Sequence, residues 1–329
     1  MNIKKIGLTA LGTSLIATSA FAGAMDVTGS AGITLANQDK ADKGNGFSMT
    51  DEITFTGSGE LDNGFTVTVS MQLDNNAVGA SGQTMDNRSV AIDTGEFGKV
   101  TFYGHGADSA FSMKDDTTPT AYGEAWDVLG TTTTGGAGST QTAVAKKGSI
   151  AGATANNMIG YTNSSLMDGL TINASYLPSD GTVVESVLST GIEYTGVEGL
   201  TVGYATDENG LAGTSGIDYE VLYANYAFGP VTAGITMSEQ DANGTTNDDE
   251  FEAMGITYAV NDDLTIGYNT STYDDANNTT DEESTNISFS YTMGGMTLAG
   301  AFVTVDNQGG SSAAINDTSG YELDLSFAF

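Results

Sequence analysis

Apolar and small or polar residues alternate along most of this chain with a period of two. Leu200, Val202 and Tyr204 alternate with Thr201 and Gly203, and Ile287, Phe289 and Tyr291 alternate with Asn286, Ser288 and Ser290. Such a period puts one set of side chains on each face of an extended strand. A longer period lies on top of it: Tyr161, Tyr194, Tyr226, Tyr258 and Tyr291 stand 33, 32, 32 and 33 residues apart. IEYTGVEGLTVGY at 192–204 and ITYAVNDDLTIGY at 256–268 are two copies of one phrase. Self-similarity at this spacing signals a repeated structural unit. Each unit reads as two strands joined by a tight turn, with GVEG, FGP, VNDD or MGG at its tip.

The segments between units differ in kind. TDENGLAGTSG, SEQDANGTTNDD and STYDDANNTTDEEST are longer, acidic and rich in Gly, Asn and Thr. Short turns therefore alternate with long polar loops. A soluble sandwich gives no reason for that asymmetry, whereas an outer-membrane barrel has short turns on one side and long loops on the other. The predicted fold is all-β: a transmembrane antiparallel β-barrel. Strand starts fall near 26, 47, 65, 88, 99, 156, 169, 187, 199, 218, 231, 250, 264, 284, 296 and 320, which makes about 16 strands. An even number suits a single-chain bacterial barrel with both termini on the periplasmic side. The repeated tyrosines sit beside the short turns, where an aromatic girdle meets the headgroups.

Composition narrows the reading. The chain has 329 residues, with 9 Lys+Arg against 42 Asp+Glu, and no Cys. Disulfide frameworks and thiolate metal sites are excluded. So acidic a surface repels nucleic acid, whose binding needs Lys and Arg at phosphate. The N-terminus is a separate segment. Lys4 and Lys5 precede an uncharged, mostly apolar run, Ile6 to Ala17, and Ala20-Phe21-Ala22 gives a small-x-small cleavage pattern. Residues 1–22 read as a secretory signal peptide, with cleavage after Ala24 as the alternative, and 23–329 as the barrel. The apolar run is too short to span a bilayer.

Two further segments carry information. In GYELDLSFAF, the residues Tyr321, Leu323, Leu325, Phe327 and Phe329 share one face, and Phe329 ends the chain. This resembles the closing strand of outer-membrane barrels, which implies a signal read by the barrel assembly machinery. The segment 105–155 is far longer than the other loops, holds the one Trp, Trp126, and passes from HGADSAFSMKDDTTPTAYGEAWDVLG through TTTTGGAGST to AKKGS. Such a loop is functional or disordered. The hairpin before it, RSVAIDTGEFGKVTFYG at 88–104, is similar to the fourth and fifth strands of bacterial trimeric general porins, which often carry a Gly-x-Phe-Gly turn there. The resemblance implies a sixteen-stranded homotrimer for passive diffusion of small hydrophilic solutes, with 105–155 folded inward as a constriction loop. One departure stands out. The family often lines the wall beside this loop with several Arg, and this chain has one, Arg88.

The constriction candidates are Asp108, Lys114, Asp115, Asp116, Glu124 and Asp127, with Lys114 as local counter-charge. Rings of carboxylates favour cations in a pore. His105 and Tyr103 share the face of Thr101 and are assigned to the lumen wall; Lys146 and Lys147 lie near the return of the loop. The single His and absent Cys leave no pair for nucleophilic catalysis, and no enzyme is expected. DANGTTNDDEFE, from Asp241, lacks the glycine and spacing of a calcium loop. No cofactor is expected beyond Ca2+ or Mg2+ held loosely by acidic loops. The leading function is a cation-preferring diffusion channel in the outer membrane of a Gram-negative bacterium, in contact with its lipids. The alternatives are a plugged surface barrel whose acidic loops bind divalent cations or a partner, and a secreted acidic β-repeat protein.

Overall fold

The computed structural model describes residues 25–39, 45–74, 85, 87–128, 150, 154–179, 186–209, 216–242, 248–310, 312 and 317–329. The signal segment, Lys146 and Lys147 lie outside these residues. The first five strands are β1 (Met25–Gln38), β2 (Asn45–Glu60), β3 (Thr66–Asp74), β4 (Arg88–Asp93) and β5 (Lys99–His105). A two-stranded ribbon, β6 (Ala107–Asp108) with β7 (Thr154–Ala155), follows. Then come β8 (Ile159–Met167), β9 (Leu170–Leu177), β10 (Val187–Val197), β11 (Leu200–Asn209), β12 (Ile217–Phe228) and β13 (Val231–Ala242). The last are β14 (Asp249–Ala259), β15 (Leu264–Asp274), β16 (Glu282–Met293), β17 (Met296–Asp306) and β18 (Thr318–Ala328).

Apart from the β6–β7 ribbon, the other 16 strands form one closed antiparallel barrel in which each neighbours the next and β18 returns to β1. Each begins within three residues of its expected start. The alternation decides which face meets which solvent. On β14, Phe251, Ala253 and Gly255 are buried inward, and Met254, Ile256 and Tyr258 are exposed outward. Ile192, Leu222, Ile287 and Phe302 stand on the same outer wall. In water a continuous apolar surface of this kind would be an aggregation hazard; in lipid it is the solvated state.

The short turns fit because their glycines take left-handed backbone, as at Gly199 (φ 76°) and Gly294 (φ 63°). Tyr194, Tyr226, Tyr258 and Tyr291 stand outward at that end, as a girdle requires. Tyr161 differs, because its hydroxyl donates to the Phe97 carbonyl at 3.0 Å in the β4–β5 turn. That turn is a single 3₁₀ turn, Gly95–Phe97.

Closure depends on the chain end. Ile33 pairs with Leu325 and Leu35 with Leu323 across β1 and β18. One step beyond, the Gly29 and Phe329 backbones exchange both hydrogen bonds at 2.9 Å. The Phe329 ring lies against Gly29, where a Cβ would come within 2.6 Å of it and 3.0 Å of the Glu52 carbonyl. Gly29→Val should therefore loosen closure by about 1–3 kcal/mol, the usual cost of overpacking. Unboiled electrophoretic mobility against temperature measures it, and the variant should unfold at lower temperature.

Candidate functional site

The loop after β5 does not cross the lumen unsupported. The ribbon pairs Ala107 with Ala155 and Asp108 with Thr154, closing the base of the loop. From Ser109 the chain follows the inner wall. The Ala110 amide donates to Ser175 Oγ on β9 (3.0 Å), and Asn225 Nδ2 on β12 donates to the Thr117 carbonyl (2.8 Å). Thr118 Oγ1 donates to Thr236 Oγ1 on β13 (3.0 Å). The Ala121 amide donates to Ser288 Oγ on β16 (3.2 Å), and the Ala125 amide to Asn269 Oδ1 on β15 (2.8 Å). Asn286 Nδ2 on β16 donates to the Gly123 carbonyl (2.8 Å). Wall side chains thus satisfy loop backbone groups, and at the Ala110 and Ala125 amides the bond is buried from water.

Apolar contacts add the larger share. Phe111, Ala125, Trp126 and Ile150 pack on Ala205, Val221, Phe251 and Ala253 of β11, β12 and β14. The Trp126 and Phe251 rings meet edge to face at 5.0 Å. Val128 packs with Ala301, Val303 and Val305 on β17 and Ala36 on β1, with Tyr122 against them. Inward residues of a water-filled barrel are polar; these are apolar because the loop covers them. The sequence holds that signal. β17 carries Ala299, Ala301, Val303 and Val305 inward while Leu298 and Phe302 face out, so both faces are apolar, as in a strand buried on both sides.

The six charged candidates take three different places. Lys114 and Asp115 are buried against the wall. Lys114 Nζ lies 3.5 Å from Glu193 Oε2 on β10, and Glu193 also accepts a hydrogen bond from the Tyr223 hydroxyl. Lys114 is thereby turned away from the open side. Asp108 stands apart, exposed on the ribbon. Asp116, Glu124 and Asp127 come together, with oxygens from all three within 4.8 Å of one another. Three carboxylates at that spacing either share protons or hold a divalent cation. Burial, then the charges of Asp116 and Asp127, pushes Glu124 up to about 9. Burial, then the charge of Asp127, pushes Asp116 up to about 6, while a hydrogen bond from Glu124 opposes the rise. Burial and the nearby Glu322 and Asp324 raise the Tyr122 phenol, which stays protonated and donates toward Glu322 Oε1 at 3.4 Å.

The facing wall is plain. Ser48, Thr50 and Glu52 on β2 and Thr68, Ser70 and Gln72 on β3 take the inward positions. Gln72 Nε2 donates to Glu52 Oε2 at 2.6 Å. Arg88 pairs in register with His105 and lies along Gly104; the Tyr103 ring covers Gly160.

Trp126 is the only Trp, so its fluorescence reports the seat of the loop. Native emission should be blue-shifted and shielded from acrylamide. Phe251→Ala removes the edge-to-face partner at a cost of about 3–5 kcal/mol and should shift emission to the red and open Trp126 to quenching.

The architecture matches known structures. OmpT of Vibrio cholerae superposes with a TM-score of 0.64 at 14% identity, over 93% of this chain and 97% of that one. A variant of the Rh. blastica porin gives 0.64 at 15% identity, over 93% of this chain and 100% of the other. A further refined porin gives 0.65 at 18%, with coverage of 93% and 100%. No curated protein sequence matches the chain. The model of the Gram-negative porin family matches residues 7–311. With a closed barrel, an inward-folded loop and that match over most of its length, the chain belongs to the Gram-negative porin family, passive channels of the outer membrane.

Proposed function

We propose that the channel is cation-preferring and passes small hydrophilic solutes. The observation that carries this is the carboxylate group Asp116, Glu124 and Asp127 on the loop, with Lys114, the one Lys or Arg among the described residues 109–128, turned into the wall. Carboxylates in a narrow, low-dielectric lumen raise the local cation concentration and repel anions. The facing β2 and β3 wall offers no Arg or Lys at its inward positions to reverse this. An open pathway is favoured over a plug because the packing partners of the described part of the loop lie along the wall from β9 through β17 and β18 to Ala36 on β1, with none of them on β2 or β3. Transport without catalysis is the reading that the family of passive channels supports.

Assembly as a homotrimer fits the trimeric form of Vibrio cholerae OmpT, which superposes at 0.65 with 15% identity over 94% of this chain and 100% of that one. Phe329 at the closing strand suits recognition by the barrel assembly machinery. On the outer face at the long-loop end, Glu220, Glu239, Glu250 and Asp274 stand side by side in register. Like charges opposite one another repel. Loosely held Ca2+ or Mg2+ bridging to lipid headgroups would relieve them.

Reversal potentials across a potassium chloride gradient test selectivity. Neutralising Asp116, Glu124 and Asp127 together should reduce cation preference far more than neutralising Asp274, Glu283 and Asp306 on the outer face. Anion preference in the native protein, or equal effects of the two triples, rejects the proposal. The preference should weaken with salt as the Debye length falls from about 10 Å at 0.1 M to about 3 Å at 1 M.

The pH dependence has a definite sign. Each acid adds negative charge as pH rises through its own value. In divalent-free buffer, cation preference should climb near pH 6 as Asp116 ionises and again near pH 9 as Glu124 does. Glu124→Gln should abolish the upper step in the pH profile of the reversal potential.

A further inference from the structure

We propose that four inward glycines, Gly191, Gly234, Gly255 and Gly267, are the positioning residues that set how far the loop stands into the lumen, and so fix the width of the channel. This rests on the channel reading above and names what sets its bore. A Cβ at Gly191 would meet Lys114 Cε at 3.0 Å and the Ala110 carbonyl at 3.1 Å. One at Gly234 would first overlap Oδ1 of Asn225, the wall side chain that holds the Thr117 carbonyl, and would meet Pro119 Cδ at 2.7 Å. At Gly255 it would overlap the Pro119 carbonyl oxygen and lie 2.8 Å from Thr118 Cγ2, and at Gly267 it would lie 2.8 Å from the Ala121 amide nitrogen. At Gly255 and Gly267 the obstacle is loop backbone, which cannot turn aside as a long side chain can.

Register makes the seat continuous. Gly234 and Gly255 are directly opposite each other on β13 and β14, leaving a double gap in the wall beneath Pro119. Glycine inside a strand weakens it, and its usual justification is the close approach of another backbone. Here the approaching backbone is Pro119 to Ala121. The loop is tied down on both sides of the gap, by Thr118 to Thr236 and by Asn286 to Gly123. A side chain added under Pro119 therefore pushes the loop inward instead of releasing it. Gly203 serves the same seat at one remove, since the Tyr223 side chain lies against it and the Tyr223 hydroxyl holds Glu193, the partner of Lys114.

The repeated phrase gains a second meaning from this. Gly191 and Gly255 precede the matching phrases IEY and ITY, and Gly203 and Gly267 occupy the same place in VGY and IGY. The tyrosines face out to the membrane interface, and the glycines face in to the loop.

Single-channel conductance in planar bilayers tests the proposal, with Gly255→Val, Gly267→Val and the control Gly57→Val. Gly57 is a strand glycine on the outward positions of β2 with nothing within 4 Å of its Cβ position. The two inward variants should lose conductance, and permeation of larger sugars should fall more than that of potassium. Gly57→Val should keep the native conductance. Should the valine variants fail to give a heat-modifiable barrel, Gly255→Ala and Gly267→Ala carry the same clash at Cβ and are measured instead. Conductance at or above the native value in the inward variants, or an equal loss in Gly57→Val, overturns the proposal. A native protein that conducts no ions rejects the channel reading itself, which is a separate failure.

Discussion

The backbone hydrogen bond is the constraint from which the rest follows. Lipid offers no partner for an N–H or C=O, so a strand that crosses it must find both partners in neighbouring strands. A sheet satisfies this only by closing on itself, and the chain closes through β1 and β18, down to the reciprocal bonds of Gly29 and Phe329. Once closed, every strand has one face in lipid and one in the lumen. Alternation is then compulsory at nearly every step. So is the asymmetry of the connections, tight at one rim and long at the other.

The same constraint shapes the interior in a different way. A segment placed inside the barrel has no strand ladder to satisfy its own backbone. Residues 109–128 use wall side chains in that role, among them Ser175, Asn225, Asn269 and Asn286. Burial of Phe111, Trp126 and Val128 supplies the driving force, and the wall answers with Val221, Phe251, Val303 and Val305 where a lumen would otherwise be polar. The loop sorts its charges as a result. Lys114 and Asp115 are drawn into the seat, and Asp116, Glu124 and Asp127 are left together on the other side. Crowding and partial burial oppose ionisation of all three at once, which raises Asp116 and Glu124 above ordinary carboxyls.

Much of this was legible in the sequence, for a physical reason. Period two, tyrosines at a 32- to 33-residue spacing and Gly-containing turns are local signals, because a strand residue's face follows from its own position in the chain. The strand number and the hairpin order followed from such signals, and the inward-folded loop was what the resemblance of the 88–104 hairpin to porins implied. What the barrel pairs is mostly next in sequence, so topology cost little inference.

The loop was different. Six charged residues, Asp108, Lys114, Asp115, Asp116, Glu124 and Asp127, looked alike as candidates, and nothing in their spacing separated them. Their sorting depends on contacts with Glu193, Asn269 and Glu322, which lie 79 to 200 positions from their loop partners along the chain. Nothing in the sequence separates Gly234 and Gly255 from other strand glycines; the structure does, by laying Pro119 against both. The sequence by itself determined the barrel, because lipid and hydrogen bonding act on each strand by a local rule. Only the tertiary structure decided which charges the wall buries and which stand together, because that depends on which distant wall residues the loop meets when it folds inward.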